Sequence, residues 1–172
     1  TNAQTVRHII GLRDVLILTQ SGEWRMRGTS DGAITPSSVF VRQEGFDGAS
    51  TVSPALVNGQ VVYATDRGNH LRSVGYSSAN GGIQAFALSL RAPHLFDSFV
   101  ISDLSSVKSP YPIVWAVSSS KKLLGVTYIP DESVAGVHQH VTDGQFHSVA
   151  GVPEGVEDAL YVTVTRKNSS GA

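Results

Sequence analysis

The sequence predicts an all-β fold built from antiparallel meander sheets. Short runs rich in Val, Ile, Thr, Tyr and Trp recur along the chain, and these residues favour strands because their branched or flat side chains pack on a pleated surface. Helical periodicity is nearly absent, since Gly, Ser, Pro and Asn interrupt the sequence too often for helices of three turns. The runs also repeat at a nearly constant interval.

Seven runs are predicted as strands, each bounded by turn residues. The short intervals between the turns favour antiparallel meanders over βαβ units. The predicted strands cover residues 14–20, 38–43, 60–66, 83–89, 112–118, 123–129 and 159–166.

Four of these segments share one pattern, an apolar run followed by a polar turn and a second strand. Their first apolar positions are Val15, Val61, Ile113 and Leu160, at successive separations of 46, 52 and 47 residues. A period of 40 to 50 residues with several short strands is typical of β-propeller blades. About three to four blades fit, which predicts a partial propeller. A β-sandwich stays open as the alternative, because any all-β chain spaces its hairpins with some regularity.

The length suits one domain, and we interpret residues 1–172 as a single all-β domain from a larger subunit. Thr1 stands where an initiator Met would, which we interpret as a cut point. Ordered blades are expected over about 11–166, and the polar residues 167–172 are expected to form a loose tail.

The charge composition argues against a dedicated nucleic-acid binder. The chain has 13 Lys and Arg against 14 Asp and Glu, and charged residues make up only 16% of it. It has no cysteine, which excludes disulfides and thiolate metal sites. No apolar run approaches the length of about 18 residues that a membrane helix needs, so no membrane partner is predicted.

Three histidines near the end of the chain form a candidate metal site. His138 and His140 are two residues apart, so both side chains of a strand would share one face. Thr142–Asp143–Gly144 is predicted as a hairpin turn, which would bring His147 across from them as a third ligand. The alternative, which we favour, is an ordinary polar strand surface. No metal or other cofactor is therefore predicted.

No catalytic residue is predicted. The sequence contains no Gly-x-Ser-x-Gly elbow. Asp131 and Glu132 are adjacent carboxylates after Pro130, but such residues are more often solvated turn residues than a hydrolase pair. The glycines at 81 and 82 are followed by no Lys or helix that would indicate a phosphate-binding loop.

Five aromatic residues are predicted to pack between blades: Trp24, Trp115, Tyr63, Phe86 and Tyr128. Four cations are predicted in blade turns or at strand edges: Arg67, Arg72, Lys121 and Lys122. Solubility is the ordinary role of such charges, and Lys on an edge also prevents unwanted strand pairing.

The ordered set of segments resembles one protein family, over about residues 11–166. The most specific pieces are Glu23–Trp24 after a strand, Ile34–Thr35–Pro36, and the blocks "VVYATDRG" and "TDGQFHSVA". Around them follow "VLILTQSGEWRM", "AITPSSVFVRQEGFDGAS", "PHLF", "PIVWAVSSSKKLLGVTYIPD" and "DALYVTVTR" in that order. The set is similar to the tail nozzle proteins of short-tailed phages, also called tail tubular or packaged-DNA stabilisation proteins.

That resemblance implies a structural virion protein with a propeller-like region and no catalytic residues. It implies self-association into a ring around the DNA exit channel and contacts with other tail and portal-adaptor proteins. Transient, sequence-independent passage of DNA, and assembly in the host bacterial cytoplasm, follow from the same resemblance. The alternatives are a propeller-type binding module for a peptide or glycan, and a propeller hydrolase or lyase that uses the three histidines.

Overall fold

The computed structural model describes residues 4–29, 33–77 and 81–167. Strands dominate these residues and form four antiparallel sheets, which confirms the predicted all-β class. Each of the first three sheets has four strands in sequential order, and the fourth has two.

The strands follow one another without crossovers inside a sheet. The first sheet consists of β1 to β4: Val6–Gly11, Val15–Thr19, Gly22–Arg27 and Phe40–Gly45. The second consists of β5 to β8: Ala55–Val57, Gln60–Ala64, Leu71–Ser77 and Gly82–Ala87. The third consists of β9 to β12: Ile101–Val107, Ile113–Ser118, Leu123–Ile129 and Val134–His140. The fourth consists of β13 and β14: Gly144–Glu154 and Glu157–Arg166.

Helix is confined to short turns in the described ranges. One α-helical turn, α1, spans Pro93–Phe96, and 3-10 turns span Ser89–Arg91 and Pro130–Glu132. None of the helices found there is long and apolar enough to cross a membrane.

The predicted repeat is confirmed as a structural repeat. Val15 begins β2, Val61 lies in β6, Ile113 begins β10 and Leu160 lies in β14, so all four occupy the second strand of their sheets. The predicted hairpins are β2–β3, β6–β7 and β10–β11. The four apolar positions are therefore equivalent, because each lies in the strand next to the first strand of its sheet.

Consecutive sheets stack face to face, because alternate side chains of β6 pack against the sheets on its two sides. Val61 and Tyr63 pack with Leu16 of the first sheet, while Val62 and Ala64 pack in the cluster shared with the third sheet. Successive side chains of a strand point to opposite faces, so the second sheet is covered on both sides. A two-sheet sandwich has no such central layer, and the arrangement therefore favours propeller-like blades.

The third sheet repeats this alternation. Val114 and Ala116 of β10 face the second sheet, while Trp115 and Val117 face Phe146 of the fourth. The two-residue period of a strand thus assigns each apolar residue to one of two inter-sheet clusters.

Backbone hydrogen bonds tie each sheet to the next at one end of the stack. In each case the chain entering a new sheet donates an amide to the turn between the second and third strands of the preceding sheet. The bonds run from Ala49 to the Thr19 carbonyl (2.8 Å), from Ile101 to that of Gly68 (2.7 Å) and from Phe146 to that of Lys121 (3.1 Å). A recurring bond of this kind fixes the stagger between neighbouring sheets.

The structure corrects one prediction about packing. Phe86, predicted to pack between blades, has 47% of its surface exposed, because it lies on the edge strand β8 beside an open groove. Trp115 packs between blades as predicted, because it contacts the cluster between the third and fourth sheets, but its indole is only half-buried. The predictions for Tyr63 and Tyr128 are confirmed, since both rings are buried.

Candidate functional site

The third sheet brings two of the three predicted histidines together. His138 and His140 lie on one face of β12, as their spacing predicts, with ring centroids 5.1 Å apart. The indole of Trp115 contacts both imidazoles, at centroid distances of 5.4 Å and 5.2 Å. These three residues are called the Trp–His cluster below.

A glycine makes room for this cluster. Trp115, Gly125 and His138 lie directly opposite one another on β10, β11 and β12. A β-carbon on Gly125 would overlap the imidazole of His138. Because the glycine has no side chain, the indole and the imidazole meet above it from the two neighbouring strands.

The third predicted ligand lies elsewhere. His147 is exposed on β13, and its Nε2 is 2.9 Å from the hydroxyl of Thr165 on β14. The predicted hairpin at Thr142–Gly144 is wrong, because β12 pairs with β11 while β13 pairs with β14. The segment instead carries the chain from the last strand of the third sheet to the first strand of the fourth.

The candidate metal site is consequently not formed. Among the described residues, no group of three or more His, Asp or Glu side chains is arranged to hold a metal ion. Two imidazoles alone fall short of the three protein ligands of a catalytic zinc and the four of a structural one.

Electrostatics favour the neutral form of His138. The pKa of His138 is lowered from its usual value, first because burial disfavours the charged imidazolium and second because His140 lies beside it. At neutral pH His138 therefore acts as a flat, uncharged ring that packs against Trp115.

A second polar site lies buried between the first and second sheets. The carboxylate of Glu23 on β3 accepts a hydrogen bond from the hydroxyl of Tyr63 on β6, and both side chains are almost inaccessible to solvent. The amide of Asp47 also points at the Glu23 carboxylate, at 3.4 Å. The pKa of Tyr63 is raised well above its usual value, mainly by burial and further by Glu23. The hydroxyl consequently stays protonated as a donor.

Next to this contact lies a buried ion pair. Arg25 on β3 is 3.1 Å from Glu44 and 3.8 Å from Asp14. The guanidinium and the Glu44 carboxylate are close without an aligned hydrogen bond. On the second sheet, Arg72 pairs with Asp47 at 3.1 Å, so this predicted turn or edge cation is a paired residue inside β7.

The remaining candidates occupy turns. Asp131 and Glu132 are exposed in the 3-10 turn between β11 and β12, as predicted. Arg67 lies in the turn between β6 and β7, and Lys121 and Lys122 lie in the equivalent turn of the third sheet. Of the glycine segment 77–84, residues 78–80 lie outside the described residues.

Surface clefts accompany these sites. A polar cleft of about 830 Å³ at the ends of the first two sheets is lined in part by Arg13, Arg27 and Tyr76. A smaller groove of about 320 Å³ between β8 and β12 is mainly apolar, with Phe86, Tyr128 and Val134 along it and Arg91 at its side.

Comparison with known proteins adds no assignment: the sequence matches no protein-family model and no curated protein. The Trp–His cluster and the Glu23–Tyr63 contact must therefore be interpreted from their own chemistry. Both are contacts within or between sheets, and neither presents a nucleophile beside a base in the way that acyl or phosphoryl transfer requires.

Proposed function

We propose that this chain is a structural virion protein, part of the nozzle wall of a short-tailed phage that retains packaged DNA and later lets it leave. The observation that supports this most is where the family-like segments lie. "GEW" and "VVYATDRG" contribute Glu23 and Tyr63, which join the first two sheets. "TDGQFHSVA" contributes Phe146 and Val149, which pack the fourth sheet on the third. These three segments thus contribute to contacts between blades, whereas Ile34–Thr35–Pro36 lies in the exposed loop between β3 and β4.

The subunits of a tube wall must be rigid and must contact each other through complementary surfaces. The first sheet has a surface suited to such a contact. The face of this sheet that points away from the second sheet carries apolar side chains, and no sheet within the described ranges covers it. Ile9 has 67% of its surface exposed and Val41 has 49%. An exposed apolar surface of this kind is typical of an interaction site. We assign it to contact between subunits of the ring.

Passage of DNA requires contacts that are weak and independent of base sequence. Affinity grows with every neutralised phosphate, so a strongly basic wall would hold the DNA back. Arg67, Lys121 and Lys122 lie in equivalent turns at the end of the stack where Gly68 and Lys121 bind the following sheets. With a net charge of −1, the chain suits a wall that touches DNA only in passing.

The test is the mass of the protein by light scattering after gel filtration, over a range of concentrations, followed by electron microscopy. We expect one ring-sized oligomer with a central channel. Ile9→Lys with Val41→Lys should dissociate it. The matched control, Leu90→Lys with Val156→Lys, replaces apolar residues that are 71% and 92% exposed elsewhere and should leave it intact. A monomer at every concentration, or equal effects of the two double variants, contradicts the proposed contact.

The location of the protein in phage particles tests the proposed virion role independently of the subunit contact. Antibodies against the chain should label one end of phage particles purified from a culture that produces the protein. Particles that carry no label would contradict a virion role even if the isolated protein forms rings.

The groove between β8 and β12 supports a second candidate, a binding module for a peptide. Its apolar lining and the single Arg91 beside it suit an apolar side chain next to a carboxylate. Titration with a peptide that ends in a C-terminal Phe, followed by NMR, tests it. Chemical shift changes at Phe86 and Val134 that disappear in Arg91→Gln support this role, and unchanged spectra contradict it.

A further inference from the structure

Two arginines line the polar cleft at the ends of the first two sheets. Arg13 lies in the turn between β1 and β2, and Arg27 is the last residue of β3. Val15 at the start of β2 pairs with Met26 of β3, so both arginines flank the same end of this hairpin. The cleft has a volume of about 830 Å³, and both side chains contribute to its wall. Both arginines are exposed, so a ligand from solvent can reach them.

Each of these guanidiniums lies over an aromatic ring. The Cζ atom of Arg13 is 5.0 Å from the centre of the Tyr76 ring, and that of Arg27 is 5.6 Å from the centre of the Phe40 ring. A cation over the face of such a ring is attracted by it. Stacking holds the planar group by its face and leaves the N–H groups at its edge available to a ligand. The rings therefore restrict the positions of both guanidiniums, which reduces the entropy lost when a ligand binds.

The described charges around the cleft do not balance. The carboxylates of Asp14 and Glu44 lie 3.8 Å and 3.1 Å from the buried guanidinium of Arg25. Asp14 lines the cleft itself, but its carboxylate is already paired with Arg25. Among the described residues, Arg13 and Arg27 form no ion pair with a carboxylate. The cleft thus has two positive charges on its wall that an anionic ligand can neutralise.

Two guanidiniums match a phosphate group better than a carboxylate. A carboxylate has one charge and two oxygens, which a single arginine can bind through two parallel hydrogen bonds. A phosphate monoester has a charge of about −1.5 to −2 at pH 7 and three terminal oxygens, so it can accept hydrogen bonds from two arginines at once. The cleft volume falls within the range of about 300–1,000 Å³ for small-molecule sites, which leaves room for an organic group beside the phosphate. Leu12 and Ile34 on the wall offer apolar contacts to that group.

We propose that this cleft binds a small phosphate monoester, with the phosphate between Arg13 and Arg27 and the organic group against Leu12 and Ile34. Charge-assisted hydrogen bonds from the two guanidiniums supply most of the affinity, because such bonds are stronger than those between neutral groups. Tyr76 and Phe40 act as positioning residues that hold the guanidiniums. The site lies at the ends of the first two sheets, and the inference holds whether or not the chain belongs to a phage tail.

The probes are ribose 5-phosphate and adenosine 5′-monophosphate, with ribose and adenosine as the controls that lack the phosphate. Calorimetric titration of the full chain gives the affinities, and NMR signals of the arginine Nε–H groups show which side chains are contacted. We expect the phosphorylated member of at least one pair to bind and to shift the signals of Arg13 and Arg27. Arg13→Gln and Arg27→Gln should each weaken binding about 10-fold or more, because each removes hydrogen bonds between charged groups. The matched control, Arg166→Gln, replaces an exposed arginine on β14 and should bind like the parent.

Two further variants separate a specific site from general charge attraction. Arg13→Lys keeps the charge but loses the planar fork of donors, so it should also weaken binding. Asp31 stands between β3 and β4 in the sequence, outside the described residues, and Asp31→Asn removes its carboxylate. Binding that appears only in Asp31→Asn would mean that this carboxylate neutralises the arginines. That result would overturn the proposal, as would equal binding by the parent and Arg13→Lys, equal losses in Arg13→Gln and Arg166→Gln, or no binding of either phosphate by the parent.

Discussion

The hydroxyl of Tyr63 donates a hydrogen bond to the carboxylate of Glu23, across the contact between the first and second sheets. The two residues are 40 positions apart in the sequence, and both are almost fully buried. A buried carboxylate is costly unless it is hydrogen-bonded, so the two sheets depend on each other for this contact. Gly45 on β4 leaves room for the carboxylate, since a β-carbon there would overlap it.

Tyr63→Phe should therefore destabilise the fold more than the same change at Tyr128. The Tyr128 hydroxyl bonds the neutral hydroxyl of Ser73 at 2.8 Å. Loss of a bond to a charged group costs about 1.5–3 kcal/mol, whereas loss of a neutral bond costs about 0.5–1.5 kcal/mol. Urea unfolding of the two variants gives the difference. Tyr76→Phe, whose half-buried ring keeps its contact with Arg13, is the control and should unfold like the parent. Equal losses at Tyr63 and Tyr128 would contradict a charged acceptor.

Two glycines with the same backbone conformation should respond differently to alanine. Gly48 has φ +67° and Gly59 has φ +68°. A β-carbon at Gly59 meets no neighbour within 4 Å. Gly59→Ala should therefore lower the free energy of unfolding only by the strain of alanine in a left-handed conformation, about 1–2 kcal/mol. A β-carbon at Gly48 would overlap the carbonyl of Gln20, in the turn that receives the chain entering the second sheet. Gly48→Ala should thus cost at least about 2 kcal/mol more, within the range of strained substitutions. Equal midpoints of urea unfolding would show that the turn can move aside.

The partial exposure of Trp115 limits how much its side chain contributes to the free energy of unfolding. Truncation of a buried aromatic residue to alanine costs about 3–5 kcal/mol, and we expect that loss for Phe96, which is 1% exposed. Trp115 is half-buried, so Trp115→Ala should cost less than about 3 kcal/mol. The free energy of unfolding in urea distinguishes the two. A loss at Trp115 as large as that at Phe96 would mean that this ring is covered in solution by something that the described residues do not include.

The seven predicted strands and the repeat were predictable because both depend on local pattern, whereas the other strands of the described residues carry weaker apolar runs. Val15, Val61, Ile113 and Leu160 each lead an apolar run, and the same run forms the same strand in each sheet. The Glu23–Tyr63 contact was not predictable, because a glutamate in a strand is usually solvated and its partner lies in another sheet. The only available signal was the pair of segments that carry the resemblance, "GEW" and "VVYATDRG".

The local sequence does not determine whether His147 lies opposite His138 and His140 or in a different sheet. Thr142–Asp143–Gly144 has the composition of a hairpin turn, but the same residues also suit a connection between sheets. The number of strands in the sheet distinguishes the hairpin from the connection. Because β12 is the fourth strand of its sheet, the next strand begins a new sheet. Phe86 was misassigned for a related reason, because β8 is a fourth strand at the sheet edge and one of its faces is open.

The lowered pKa of His138 predicts that acid weakens the fold in a defined pH window. An unfolded histidine titrates at about pH 6.5, and folded His138 titrates lower. Above about pH 6.5 both states are neutral and stability is unaffected by this group. As the pH falls below that value the unfolded chain binds the proton first, so stability declines until the pH reaches the folded pKa. Urea unfolding at about pH 7.5, 6.5 and 5.5 should show this decline in the parent. His138→Gln should reduce it, whereas His147→Gln, which replaces an exposed histidine on β13, should keep it. The same decline in all three proteins would assign the acid sensitivity to another group.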